Sequence, residues 1–273
     1  VSSIQFWDAL ARHHSRIENN YFDLATVRRI ARELRPPVLV VGAGQGLLVG
    51  ELRNKGVQCD GVDYSPEMIR HAKSRRGLDL VRADAGALPF AGGSYATLVY
   101  ATGVVDFNGD EAAIRRMLNE GMRVVDGAGK LFVGFYRFSN AQKKFLQRVG
   151  LLRDNMLLHR ECFRLYLLSP AQMLAWVAKR ARTSYLGAAI LLVGVSALGA
   201  FHELVMSLRM QKIFRELEDP NALIDSAPET LPYRNEAEIR KLFDRLAIPF
   251  KQIRAFPPCW VVEVAASKTG VGR

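Results

Sequence analysis

Three alternating glycines, Gly42, Gly44 and Gly46, interrupt the apolar run VLVVGAGQGLLVGEL at residues 38–52, and an acidic side chain, Asp63, follows seventeen residues after the last of them. Glycine is needed where the chain turns through positive φ or where a Cβ would hold a ligand off the backbone. The free N–H groups of a helix start favour electron-rich partners. A carboxylate at the end of the next strand offers acceptors to both hydroxyls of a ribose diol. This chemistry is that of a nucleoside-binding turn. The glycines alone fit equally a turn that only packs a strand on a helix. Asp63 fits equally a helix cap, a place for which Ser65, with Pro66 and Glu67, competes.

Glycine spacing separates two cofactor classes. A dinucleotide fingerprint asks for a small residue at position 47, where this chain has Leu47, whereas GxGxG is met in full. Residues 57–62 read as a second strand and residues 80–84 as a third, ending in Asp84; AGALPF at 85–90 and YATLVYATGVVDF at 95–107 follow. This succession resembles the class I S-adenosylmethionine-dependent methyltransferase family, in particular its small-molecule branch with a DxxxLPF element, over residues 38–137 and again near the C-terminus. The resemblance implies S-adenosylmethionine as cofactor and S-adenosylhomocysteine as product. It places Gly42, Gly44 and Gly46, with Ala43 among them, along the methionine and ribose, and Asp63 on both ribose hydroxyls. Tyr64 and Met68 then lie near the adenine, and Asp84 accepts from the adenine amino group beside the Ala85 backbone. The backbone around Ala101 to Gly103 faces the methionyl end. The family usually carries an acid two positions before the first glycine, and here that position is Val40. Backbone carbonyls or an N-terminal side chain must then meet the methionine ammonium.

The elements that position these residues follow from periodicity and breakers. Residues 4–34 read as two helices halted by Pro36 and Pro37, an N-terminal helical lid over 1–35. Within it FWDALARHH and ENNYFDL resemble the aromatic-rich lid of small-molecule methyltransferases, with His13 or His14 where a tyrosine is common. Further strands at 96–101 and 130–136, the latter after a DGAGK turn, alternate with a helix at 111–124. A helix at 236–246 and strands at 250–255 and 259–265 close the chain. The alternation implies an α/β fold on a parallel sheet, and the resemblance implies a Rossmann-like, seven-stranded, mostly parallel sheet with its last strand antiparallel, over 36–137 and 232–268. Residues 138–231 are too many for a connection and read as a helical cap inserted between the fifth and sixth strands, expected over the acceptor site.

That insertion holds YLGAAILLVGVSALGAF at 185–201, which carries no charge. It reads as a buried cap helix, or as one that lines a greasy pocket or dips into a leaflet. A full span wants about twenty apolar residues, and a single crossing would divide the core. Lys179, Arg180, Arg182, Arg209 and Lys212 flank it, which suits an anionic membrane surface met through residues 179–212. The implied acceptor is a lipophilic small molecule: a lipid, a quinol or a hydrophobic metabolite. Phe138, Arg164, Tyr166 and Trp176 are candidate lining residues. Methyl transfer from a sulfonium needs little beyond alignment, with a base for a phenolic or carbon acid. Asp106 is the favoured base, ahead of His14, His159 and His202, with a helix cap shared with Asn108 or Asp110 as its other reading.

Net charge is +11, from 38 basic and 27 acidic residues, which points to acidic partners. The basic residues are scattered, which counts against nucleic acid, and TGVVDF replaces the D/NPPY motif of base-amine methyltransferases. An RNA methyltransferase and a binding protein without turnover are the rival readings. Cys59, Cys162 and Cys259 stand too far apart for a disulfide framework or a metal site, so no metal is expected. Trp7, Asp8 and ARHHSRIENN interrupt any signal-peptide pattern. These features read as a cytoplasmic protein, possible at the inner face of a membrane.

Overall fold

Val38–Val41 (β1) is buried along its whole length, yet its side chains face two different layers. Leu39 and Val41 join one apolar cluster and Val38 and Val40 another, as the two-residue period of a strand requires. In the computed structural model, which describes residues 4–17, 31–136, 140–199, 214, 217, 219–256 and 259–265, the chain divides into two units. One comprises Ser3–Arg137 with Arg234–Arg273, the other Phe138–Tyr233.

The first unit begins with α1 (Ile4–Ile17), then β1, α2 (Leu47–Asn54), β2 (Cys59–Asp63), α3 (Pro66–Arg76) and the short β3 (Val81–Arg82). β4 (Tyr95–Tyr100), α4 (Glu111–Val124) and β5 (Val125–Tyr136) follow, and α10 (Glu236–Arg245), β9 (Phe250–Phe256) and β10 (Cys259–Val264) complete it. The sheet order is β3-β2-β1-β4-β5-β10-β9. β1 to β5 pair in parallel, and β10 lies antiparallel between β5 and β9. The seven-stranded, mostly parallel architecture read from the sequence is thus present, its last strand antiparallel.

Helices cover both faces because each offers one apolar stripe. On α4, Ala113, Ile114, Leu118, Gly121 and Val124 are buried, and Ile114 and Leu118 join Tyr100, Leu131 and Val133 of the sheet. Full burial of each such aliphatic side chain contributes about 1.5–3 kcal/mol. Leu48, Val49 and Leu52 of α2 pack with Val38, Val40, Val99 and Phe132 on the opposite face. Cys59 and Cys259 are buried in these strands, as expected, and burial pushes the Cys59 thiol up to about 12.

Two local expectations are corrected. DGAGK is not a separate turn: α4 runs directly into β5, and the sheet absorbs the extra residues. Tyr95 pairs with Val125 but Thr97 with Lys130, so five steps along β5 oppose two along β4. β3 is only Val81–Arg82, both exposed, and Asp84 lies beyond it in a bridge with Ala87.

The second unit contains α5 (Asn140–Arg148), β6 (Leu152–Arg153), β7 (Met156–Leu158), α6 (His159–Leu165), α7 (Pro170–Ala181), α8 (Tyr185–Gly199), α9 (Pro220–Ser226) and β8 (Thr230–Pro232). It is not wholly helical: β6, β7 and β8 form an antiparallel sheet in that order. Asp154 and Asn155 take φ of 47° and 59°, the left-handed pair that a two-residue hairpin needs. Val149, Leu151, Val177, Ala181 and Ala188 form its main core. α8 has 15 residues, about 22 Å at 1.5 Å per residue against a hydrocarbon thickness of about 30 Å. Among the described residues no helix is long and apolar enough to cross a membrane.

Candidate functional site

The turn after β1 is built from backbone, and its geometry explains the glycines. Gly42, Gly44 and Gly46 take φ of 74°, 56° and 82°, conformations that a side chain resists. The N–H groups of Gly42 and Ala43 both donate to the Val62 carbonyl, at 3.0 and 2.9 Å, tying the turn to β2. Added Cβ atoms would meet different surroundings. At Gly46 one would lie 2.7 Å from Leu78 Cδ1, so this glycine serves packing; at Gly44 it would meet nothing within 4 Å. Gly44 therefore opens on free space, a cradle for a ligand laid against its backbone.

Asp63 ends β2 facing that cradle. Its Oδ2 accepts from Gly44 N–H at 2.7 Å and its Oδ1 from Ser65 N–H at 2.9 Å. Each oxygen keeps a further acceptor site for a hydroxyl. Desolvation raises its pKa, opposed by the Ser65, Gly44 and Tyr64 amides, and nearby Asp8 adds to the rise. Ser65 rather than Asp63 caps α3, accepting from Met68 N–H at 3.1 Å. Tyr64 is exposed beside it, Met68 is buried, and Ala43 turns its methyl into the core.

Asp84 is exposed, and its Oδ1 accepts from Gly86 N–H at 2.6 Å. The Ala85 carbonyl accepts from the Tyr100 hydroxyl at 3.2 Å, which fixes this loop to β4. Ala101 is buried at the end of β4, and its Cβ would stand 3.8 Å from a Cβ added to Gly42. The residues read from sequence as a cofactor site thus converge on the carboxyl edges of β1, β2 and β4, while the Ala43 and Met68 side chains serve packing.

Contacts of α1 were not legible in advance. Gln45 Nε2 donates to the Ala11 carbonyl at 2.9 Å, and Ser65 Oγ donates to Asp8 Oδ1 at 2.5 Å. Trp7 stacks on Phe107 with centroids 5.9 Å apart, and its ring would be 3.1 Å from a Cβ on Gly103. Phe107 stacks in turn on Tyr136 at 5.5 Å. One helix therefore touches the loops after β1, β2 and β4. The aromatic FW pair and Asp8 were the available signal, but their partners are set by tertiary docking. Gln45 is 1% exposed, and its Oε1 has no partner among the described residues, so a buried acceptor is left for a donor.

The helix-cap reading of Asp106 is corrected. Asp110 caps α4, accepting from Ala112 N–H at 2.9 Å. Both Asp106 oxygens are held by amides: Oδ1 accepts from Gly103 N–H at 2.5 Å and Oδ2 from Tyr136 N–H at 3.1 Å. Arg234 donates to the Asp106 and Asn108 carbonyls. The buried carboxylate is a clasp between the ends of β4 and β5. The His14 side chain and all of His202 and Phe138 lie outside the described residues. His159 is buried in the second unit, where desolvation pushes it down to about 4, and its ring lies 4.5 Å from that of Phe163. Arg164 pairs with Glu161 at 2.6 Å, and Trp176 carries the Arg180 guanidinium over its ring.

The clasp has a pH signature. Desolvation raises the Asp106 carboxyl to about 6, against the lowering amides and Arg234. Its folded value exceeds the unfolded value of about 3.9, so the folded state keeps a proton that the unfolded chain has lost. This contribution is complete below about pH 4 and is lost as pH rises through about 6, on the order of 3 kcal/mol in all. In urea titrations, the stability advantage of wild type over Asp106→Ala is expected to narrow by that amount between those pH values. A difference that is flat with pH would remove the assignment.

Residues 38–129 match the family described as methyltransferase domain. A demethylmenaquinone methyltransferase of Corynebacterium urealyticum is 30% identical over 129 residues, 45% of this chain and 54% of the relative. Another of that name, from Renibacterium salmoninarum, is 34% identical over 97 residues, 35% of this chain and 39% of the relative. The chain spans about half the length of the first of these curated relatives and less of the second. A solved SAM-dependent methyltransferase from Methanosarcina mazei superposes with a TM-score of 0.51 at 15% identity, covering 86% of this chain and 95% of that one, a likeness of fold. The open cradle at Gly44, the free acceptor sites of Asp63 and the unmet Gln45 oxygen fit S-adenosylmethionine, the cofactor of this family. Over residues 38–129 the family match and the geometry of the turn after β1 thus agree on a methyltransferase domain.

Proposed function

We propose that this chain transfers a methyl group from S-adenosylmethionine to a lipophilic small molecule, with a quinol-type ring as the first acceptor to test. The observation that carries the transfer is Asp63, fixed by the Gly44 and Ser65 amides beside a backbone cradle free of Cβ atoms. When bound, the cofactor supplies a methyl carbon activated by positive sulfur. Asp63 holds the ribose diol, Asp84 the adenine amino group, and the Gly44 backbone admits the chain between them. Gln45 Oε1 would accept a hydrogen bond from the ammonium where Val40 has no acid to offer, Val40 being fully buried in the core. Trp7, Phe107 and Tyr136 give this edge an aromatic, water-excluding face.

Support for the acceptor class comes from the uncharged run at 185–201 and from the names of the two bacterial relatives. The test supplies methyl-labelled cofactor with demethylmenaquinol in detergent, and separately with whole lipid and RNA extracts. Label is expected in the lipid phase. Label in RNA alone would overturn the acceptor class, and tight S-adenosylhomocysteine binding with no transfer to any extract would leave a binding protein.

A further inference from the structure

Helix α8 is apolar all round, and over its described side chains, residues 185–192, one side packs into its own unit. Ala188 is fully buried, and Leu191 and Leu192 pack against the core of Val149, Leu151, Val177 and Ala181. On the other side, Leu186 and Ile190 are 71% and 63% exposed, and Tyr185 at the helix start is 66% exposed. They are three of five exposed large hydrophobic residues described, the others being Tyr64 and Val81 in the first unit. Such clustering on one short helix marks an interaction face rather than scatter.

The charge around this face says what covers it. The sequence from Phe138 to Tyr233 holds twelve basic and eight acidic side chains, and Lys179, Arg180 and Arg182 stand together just before α8 with no acid among them. A Cβ on Gly150 would lie 3.6 Å from both Arg153 Nη2 and Arg180 Nη1, so two guanidiniums converge over one turn. Among the described residues no carboxylate pairs with Arg153, Lys179, Arg180 or Arg182. Converging like charges without a counter-charge favour an anion between them. Helix-dipole complementarity accounts for Lys179 and Arg180 in the last turn of α7, but not for Arg153, nor for Arg182, which holds φ of 50° where glycine would fit without strain.

We propose that the start of α8, with the basic rim of Arg153, Lys179, Arg180 and Arg182, docks on an anionic phospholipid surface. Leu186 and Ile190 enter the acyl boundary with the Tyr185 ring at headgroup depth, while the rim meets headgroup phosphates. Helix α8 lies along the interface and does not cross it, in keeping with its length. This docking stands independently of the methyl acceptor.

The test is flotation of the full chain with vesicles of phosphatidylcholine alone and of phosphatidylcholine mixed with phosphatidylglycerol, at low and high salt. Binding is expected to the mixed vesicles only, and to weaken with salt. Leu186→Ser with Ile190→Ser should lower partitioning more than tenfold, from the lost apolar insertion. Arg182→Gly relieves a strained position and should raise the thermal midpoint while weakening partitioning about fivefold, so lost binding cannot be ascribed to misfolding. Equal binding to both vesicle types, or binding to neither, would overturn the proposal. So would concentration-dependent self-association that Leu186→Ser with Ile190→Ser abolishes, since a second copy would then cover the face.

Discussion

Asp63→Ala is expected to weaken S-adenosylhomocysteine binding at least about a hundredfold in calorimetry, since two bonds to a charged acceptor at about 1.5–3 kcal/mol each are lost. The variant also frees the Gly44 and Ser65 amides that the carboxylate gathers, so the turn loses its shape as well as its ligand contacts. Asp63→Asn should rescue little, because its amide nitrogen sets a donor against one of those N–H donors. Desolvation and the neighbouring Asp8 raise the Asp63 pKa, so binding to wild type should fall on acidification at a higher pH than for an ordinary aspartate. Binding that survives Asp63→Ala within tenfold would remove this carboxylate from the site.

The second large effect is expected at Gly44, and its design separates ligand from fold. Gly44→Ala sets a methyl in open space at φ 56°, so it carries the left-handed penalty of about 1–2 kcal/mol and fills the cradle. Gly77→Ala is the matched control: φ is 66°, nothing lies within 4 Å of its Cβ, and it ends α3 away from the cradle. Both variants should lose similar stability in urea, while only Gly44→Ala should lose S-adenosylhomocysteine binding, by about a hundredfold if the methyl displaces one face of contacts. Equal binding by the two variants would place the cofactor elsewhere.

The turn after β1 and the carboxylate that faces it were legible because their logic is local. Gly42 to Gly46 and Asp63 are read from a strand, a turn and the next strand end, and α4 was legible to the residue from Asp110 and a regular apolar stripe. What escaped depends on partners distant in sequence. Asp106 reads as a base because it follows the fourth strand and as a cap beside Asn108 and Asp110, and neither reading gave its partners Tyr136, 30 residues on, and Arg234, 128 residues on. The docking of α1 through Asp8 and Gln45 is equally nonlocal, at 57 and 34 residues. The hairpin at Asp154 and Asn155 is different: its turn signal is local and was passed over when residues 138–231 were read as a helical cap.

Tyr136 is the last described residue before the second unit and Arg234 the first after it, and both are fastened to Asp106, one through its carboxylate and one through its carbonyl. The seven-stranded core thus gathers the exit and re-entry of its long excursion at a single rivet. Such a junction makes the excursion an exchangeable cassette: its length and sequence can drift, or be replaced outright, while the strands on either side keep their register.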